Sequence, residues 1–266
     1  MTTGSPSLDG AVPPAVRAVA AGRPVRLVWE NELGGLTFEV GEDPDRCFVK
    51  WAPAATGIDL SSEAARLAWA RPYTPVPRLI GHGSDIAGAW LITAALPGRN
   101  AVASRWKAEP RTAVRAIGEG LRAMHEALPV DNCPFSWAAG DRLADTLRRA
   151  GEGRIDPAAW HPVHQPLSTV GALEILARVP SADLLVVCHG DSCAPNTLLT
   201  ADGRWSAHVD LGELGIADRW ADLAVATWST EWNYGPGWEG LLLDAYGVPP
   251  DPERNRYYRL LWDLGP

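Results

Sequence analysis

A carboxylate in a turn, an amide five residues later and a second carboxylate fourteen residues beyond that are the part of this chain best suited to chemistry. They are Asp191 in His189–Gly190–Asp191, Asn196, and Asp210 in Asp210–Leu211–Gly212. Apolar runs surround them. Leu184–Leu185–Val186–Val187–Cys188 leads into the turn, Thr197–Leu198–Leu199 leaves it, and His208–Val209 precedes the last acid. Phosphoryl transfer needs such a set. One carboxylate accepts or orients the proton of an acceptor hydroxyl, while an amide and a second carboxylate hold the magnesium ions that bridge the donor phosphates. Either triplet alone is ordinary turn chemistry; the two in this order between strand-like runs are not.

The spacing from Asp191 to Asn196 equals that of the kinase catalytic loop H-R-D-x-x-x-x-N, and Asp210 stands where D-F-G would. That chemistry also demands a phosphate-binding lysine upstream. The chain has 22 Arg and only two Lys, Lys50 and Lys107. Lys50 ends Arg46–Cys47–Phe48–Val49–Lys50, a short apolar run of the kind that carries the kinase lysine. Where Arg stands almost everywhere, a retained Lys points to a need for a compact ammonium. Lys107 lies in a polar stretch and reads as a solvated surface residue. Thirteen residues after Lys50, Glu63 falls in the first turn of Ser61–Ser62–Glu63–Ala64–Ala65–Arg66–Leu67–Ala68–Trp69, which reads as a serine-capped helix. It is the expected partner of Lys50 in a kinase-type ion pair.

The elements that must position these groups fall into two regions. Val25–Trp29, Leu36–Val40, Cys47–Lys50, Pro77–His82 and Ala89–Thr93 read as strands parted by turn residues, with the Glu63 helix among them and a short helix near Ala15–Ala20. Leu96–Pro97–Gly98 breaks this pattern. Beyond it, Val114, Ile117, Leu121, Met124 and Leu128 recur at steps of three or four and mark an amphipathic helix over 111–128. Further helices are expected over 143–150, 170–179, 221–229, 238–246 and 254–261. The expected architecture is α+β: a small antiparallel-sheet lobe over 1–96 and a larger, mainly helical lobe over 97–266.

The 266 residues suffice for two such lobes, and the net charge of −8 argues against a nucleic-acid partner while suiting cationic small substrates. The four cysteines, Cys47, Cys133, Cys188 and Cys193, show no paired spacing and read as reduced thiols. No apolar stretch approaches the roughly 18 residues of a membrane span, and Met1–Pro6 lacks a basic leader region. A cytoplasmic protein without membrane contact, monomeric or weakly dimeric, is expected.

HGDSCAPN and HVDLGELGIADRWADLAVAT, with FVKWAP, EAARLAW, LITAALPG and MHEALPVDNCPF before them, resemble the bacterial aminoglycoside O-phosphotransferases over roughly residues 25–262. The resemblance is nearest to the 3′-type (kanamycin/neomycin) and 3″-type (streptomycin) enzymes. It implies a protein-kinase-like bilobal fold, ATP or GTP with Mg2+ as cofactors, and transfer of the γ-phosphoryl group to an antibiotic hydroxyl. It implies Asp191 as catalytic base, Asn196 and Asp210 as magnesium ligands, and Lys50 held by Glu63. Phe48 would stack on the nucleotide base, and the backbone of Ala94 and Leu96 would bond its edge. Asp218, Arg219 and Asp222 match a family segment and are expected to scaffold the catalytic loop.

Two segments depart from the family. In Asn31–Glu32–Leu33–Gly34–Gly35–Leu36–Thr37, Leu33 stands where a phosphate-binding Ser is expected, although Gly34 and Gly35 still permit close backbone approach. The segment Ile155–His164 carries one acid where the 3′-type enzymes carry several, and Trp228–Tyr234 replaces an acidic–basic cluster. Each missing carboxylate removes a charge-assisted bond of about 1.5–3 kcal/mol. A polyamine such as kanamycin is therefore disfavoured against streptomycin, with Asp156, Trp160, Glu231 and Asp263 as acceptor-binding candidates and Trp228 and Trp232 as further stacking surfaces. The alternatives are a 3′-type enzyme, a same-fold kinase of another small hydroxylated molecule, and a non-catalytic binding protein.

Overall fold

The computed structural model describes residues 12–31 and 33–265; Met1–Pro6 and Glu32, read above, lie outside them. The chain divides into two compact units, one ending at Pro97 and one beginning at Gly98.

The first unit is built on a five-stranded antiparallel sheet of order β1-β2-β3-β5-β4. Its strands are β1 (Val25–Glu30), β2 (Leu36–Val40), β3 (Cys47–Pro53), β4 (Leu79–Ser84) and β5 (Gly88–Ala94). β3 is central, pairing Lys50 with Thr37 on one side and Leu91 on the other. Alternation along β3 buries Cys47, Val49 and Trp51 and turns Phe48 and Lys50 to the opposite face, as the period of two requires. The buried face packs with Phe38, Val40 and with Val16 and Ala20 of helix α1 (Pro14–Ala20). Helix α2 (Ser61–Ala70) buries Glu63, Ala64, Leu67 and Ala70, one stripe at helical spacing. Its start differs from expectation: Asp59 rather than a serine accepts from the backbone N–H of Ser61 (2.9 Å), and from the Ser61 hydroxyl (2.6 Å).

The second unit is mainly helical. After the two-residue strand β6 (Arg99–Asn100) come α3 (Ser104–Ala108), α4 (Pro110–Ala127), α5 (Ala139–Gly151) and α6 (Thr169–Leu176). Strands β7 (Leu185–Cys188), β8 (Thr197–Leu199), β9 (Trp205–His208) and β10 (Gly215–Asp218) follow, then α7 (Trp220–Tyr234), α8 (Glu239–Tyr246) and α9 (Pro252–Asp263). The periodicity read along α4 is the buried stripe: Val114, Ile117, Leu121 and Met124 are all inside, each contributing about 1.5–3 kcal/mol on burial. α7 is buried nearly all round through Thr230 and forms the centre of the unit, against α8 and α9. β7 pairs antiparallel with β10, and β8 lies between β6 and β9. Lys107 is exposed on α3. The four cysteines are unpaired with one another.

Candidate active site

In the first unit, Lys50 Nζ donates to both oxygens of Glu63, at 2.9 and 2.7 Å. The thirteen-residue spacing resolves into a strand residue facing a helix residue, with Glu63 buried and its carboxylate unavailable to solvent. Such an arrangement fixes a primary ammonium at a defined place on the sheet. Phe48 is half-buried on the same face of β3, with the guanidinium of Arg46 over its ring, 5.7 Å from the centroid. The N–H of Ala94 is used within the unit, donating to Arg78 O at 2.9 Å. Leu96 is half-exposed. Between β1 and β2, Asn31 Oδ1 accepts from the N–H groups of Leu33 (3.1 Å) and Gly35 (2.7 Å), and Gly34 takes φ +86°, a left-handed conformation that favours glycine. The Leu33 side chain itself is 67% exposed.

In the second unit, β7 delivers the chain into His189–Gly190–Asp191 and β8 carries it away. Gly190 has φ +86°, and a Cβ there would lie 2.2 Å from Glu213 O, so only glycine fits. The His189 ring stitches the loop: Nδ1 accepts from Asp191 N (3.2 Å) and Nε2 donates to Val209 O (2.9 Å). Val209 N in turn donates to Asn196 O (3.0 Å), so the peptide before Asp210 is held on both sides. Asp210 follows with φ +65°, a strained value for a non-glycine residue of the kind that collects at functional sites.

Asn196 Nδ2 donates to the Asp191 backbone oxygen and to its carboxylate Oδ2, both at 3.0 Å. Asp191 Oδ1 is buried without a partner. Burial, and after it the negative charge of Asp210, hold the Asp191 carboxyl above the ordinary carboxylate range. Cys193 is largely enclosed beside Asp191, and burial and the Asp191 charge push its thiol well up. It is therefore a protonated packing group rather than a nucleophile.

One buried carboxylate, Asp222, organises the loop, in the scaffolding role that the resemblance implies for it. Asp222 on α7 accepts from the N–H groups of His189 (2.6 Å) and Gly190 (3.0 Å), and its backbone oxygen accepts from Ser192 Oγ (2.7 Å). Burial alone would raise its pKa, but the bonds from His125 and His189 hold it below the ordinary range. Asp218 accepts from Trp220 N and Asp183 N, at 3.1 and 3.2 Å. Farther along α7, Ser229 Oγ accepts from Ala194 N at 2.9 Å, which ties that helix to the loop a second time.

The acceptor candidates separate. Trp160 is a correction: it is 3% exposed within the main core of the unit, so it packs and cannot stack on a soluble molecule. A loop setting among Pro, Ala and His residues concealed a residue that long-range packing buries. Asp156 caps its own turn, accepting from Ala158 N at 2.9 Å. Asp263 accepts from His161 N (3.0 Å) and from His164 Nδ1 (2.5 Å), which ties α9 to that loop. Trp228 is buried and carries the Arg259 guanidinium 5.4 Å from its ring. Glu231 is exposed on the last turn of α7, and Trp232 beside it is 46% exposed, with its ring 5.2 Å from that of Trp228.

An antiparallel sheet that presents a carboxylate-held lysine, and a helical unit whose HGD loop presents a buried carboxylate locked by an amide, match the protein-kinase-like class of phosphotransferases. Known proteins agree. The chain belongs to the phosphotransferase enzyme family, whose model matches residues 30–258. It is 36% identical to an aminoglycoside 3'-phosphotransferase of Streptomyces fradiae, over 88% of this chain and 92% of that protein. It is also 36% identical to a streptomycin 3''-kinase of Streptomyces griseus, over 94% of each. Among solved structures, a type VIII aminoglycoside-3'-phosphotransferase is similar with a TM-score of 0.80 and 32% identity, over 94% of this chain and 97% of that one. The aminoglycoside phosphotransferase APH(3'')-Id from Streptomyces rimosus gives 0.75 and 27%, over 94% and 95%, in its complex with ADP and streptomycin.

Proposed function

We propose that the protein is an ATP-dependent aminoglycoside O-phosphotransferase that confers resistance by phosphorylating an antibiotic hydroxyl, and that streptomycin suits it better than kanamycin or neomycin. The observation that carries the reading is Asp191. One of its oxygens is locked by Asn196, while Oδ1 is buried with no partner among the described residues, an unsatisfied acceptor that a hydroxyl proton would satisfy. Its raised pKa brings it nearer to the operating pH, where a general base works best.

The division of roles follows from the residues. Lys50, held by Glu63, binds nucleotide phosphate oxygens; Phe48, Gly34, Gly35, Ala94 and Leu96 contribute to the nucleotide site. For Ala94 that role falls to groups other than its N–H, which the sheet already uses. The donor set of Asn196 and Asp210 fits magnesium. Asn196 gives its nitrogen to Asp191, which leaves Oδ1 as a hard oxygen ligand beside a carboxylate. Bound there, the metal supplies neutralisation of phosphate charge. Asp191 accepts the hydroxyl proton, and the His189 and Asp222 bonds keep its loop from moving as it does so.

For the acceptor, Glu231 supplies a carboxylate and Trp232 a flat aromatic face suited to a guanidinium plane. Ser229 on the same helix bonds the catalytic loop, which supports this end of α7 as an acceptor surface. The sparse acidic set favours a drug with two guanidinium groups over one with many ammonium groups. Asp263 and Asp156 contribute only by exchanging their present partners for substrate. We further propose a cytoplasmic monomer or weak dimer; among the described residues no helix is long and apolar enough to cross a membrane.

A coupled assay of ATP consumption over a panel of aminoglycosides tests the reading. Turnover with a higher kcat/KM for streptomycin than for kanamycin is expected. Efficient kanamycin turnover would refute the substrate choice. No turnover of any aminoglycoside by folded, ATP-binding protein would refute the function and favour a same-fold kinase of another small hydroxylated molecule.

A further inference from the structure

The buried groups behind the catalytic loop form a hydrogen-bonded line from Tyr246 through His125 to Asp222. Asp222 is ionised and can only accept, so the Nε2 of His125, 2.9 Å from its Oδ2, must carry a proton. The other ring nitrogen, Nδ1, lies 2.8 Å from the Tyr246 hydroxyl. A neutral ring that carries its proton on Nε2 has a bare Nδ1, and the Tyr246 hydroxyl, which burial keeps protonated, donates to it. The Arg219 guanidinium lies over the Tyr246 ring, 6.0 Å from its centroid, and its Nε donates to Asp183 at 2.7 Å.

A metal is the other reading of this cluster, because His125, Cys188 and Asp222 offer ligand atoms within 4.8 Å of one another. The bonds argue against it. Both His125 nitrogens and both Asp222 oxygens are engaged, and Cys188 donates its thiol proton to Asp218 O at 3.4 Å.

We propose that Tyr246 and His125 are positioning residues for phosphoryl transfer: Tyr246 fixes His125 in its Nε2–H tautomer, and His125 then keeps Asp222 aimed at the His189 and Gly190 amides next to the base. The inference rests on the reading of Asp191 as that base. None of these residues touches substrate; they act through the loop. Removing the Tyr246 hydroxyl releases the imidazole to rotate or to shift its proton to Nδ1. Asp222 then loses one of its three donors, and the loop carrying Asp191 loses its fixed register.

The test combines steady-state kinetics with long-range 1H–15N correlation of the histidine rings. In the wild-type protein His125 is expected as the neutral Nε2–H tautomer. Tyr246→Phe should lower kcat about tenfold while KM for ATP stays within twofold, the effect of one lost bond felt only at the base. His125→Gln, which keeps a donor near the Nε2 position, should retain more activity than His125→Ala. Tyr257→Phe is the control. It deletes another buried hydroxyl bond, to Leu176 O at 3.0 Å, and should leave kcat unchanged. An Nδ1–H tautomer in the wild-type protein overturns the proposal. So does an unchanged kcat in Tyr246→Phe, or an equal loss in Tyr257→Phe. A wild-type protein that phosphorylates no aminoglycoside refutes the functional reading instead, and the tautomer measurement still decides the relay.

Discussion

His208→Phe should make the protein more stable and less sensitive to acid, and the size of both effects follows from where the ring sits. His208 ends β9, fully buried, with its ring 5.6 Å from that of His189 and 5.4 Å from that of Trp205. Neither ring nitrogen has a hydrogen-bond partner among the described residues. A buried polar group left unsatisfied costs about 1–3 kcal/mol, and phenylalanine, close in shape, has nothing to satisfy. A gain of that order is expected at pH 7.5. The acid effect has a definite sign. Burial, and after it the neighbouring His189, hold the folded-state pKa of His208 well below its ordinary value of 6.5. The unfolded chain therefore binds the proton and the folded one does not, so stability is intact above about pH 6.5 and is lost as pH falls below it. Between pH 7.5 and 5.5 a single such histidine removes about 1.4 kcal/mol. Urea denaturation of both proteins at the two pH values isolates this contribution, because every other titrating group is common to them. The wild-type protein should lose about 1.4 kcal/mol more than the variant over that interval. A variant that is less stable, with an unchanged pH difference, would refute the reasoning and mean that the ring is satisfied in solution.

Other changes test the remaining parts of the site. Asp191→Ala should abolish transfer while leaving nucleotide affinity nearly intact, whereas Asp210→Ala should lose magnesium-dependent nucleotide binding; calorimetry that finds equal loss in both contradicts that division. Glu63→Gln keeps the size of the side chain and removes the charge that holds Lys50, so KM for ATP should rise several-fold, with a smaller change in KM for the antibiotic. Gly190→Ala places a Cβ 2.2 Å from Glu213 O and should abolish activity, together with a lower Tm; an active, equally stable variant would show that the loop adapts. Trp232→Ala should raise KM for streptomycin and leave Tm within a degree or two, whereas Trp160→Ala should lower Tm by several degrees, as loss of a buried aromatic side chain costs about 3–5 kcal/mol.

The sequence by itself determined what depends on local spacing. The α4 stripe, the strand ending at Lys50 and the HGD–Asn–DxG series are legible because helix and strand periods and turn chemistry act over a few residues. The Lys50–Glu63 pair is legible too, since only the end of β3, a turn and a short loop separate Lys50 from the first turn of α2. β10 was not, because Gly215–Ile216–Ala217–Asp218 has too few apolar residues to declare a strand and exists by pairing with β7. Trp160 shows the same limit from the other side: it stands in a loop among Pro, Ala and His residues with no helix or strand period, and its burial comes from packing in the main core of the helical unit. Tertiary structure alone decided which carboxylates are already engaged. Asp263 meets a loop 99–102 residues away in sequence, and Asp222 meets His125 97 residues before it and the His189 and Gly190 amides 33 and 32 residues before it. Such bonds are set by how helices and loops are packed, and no local pattern records them.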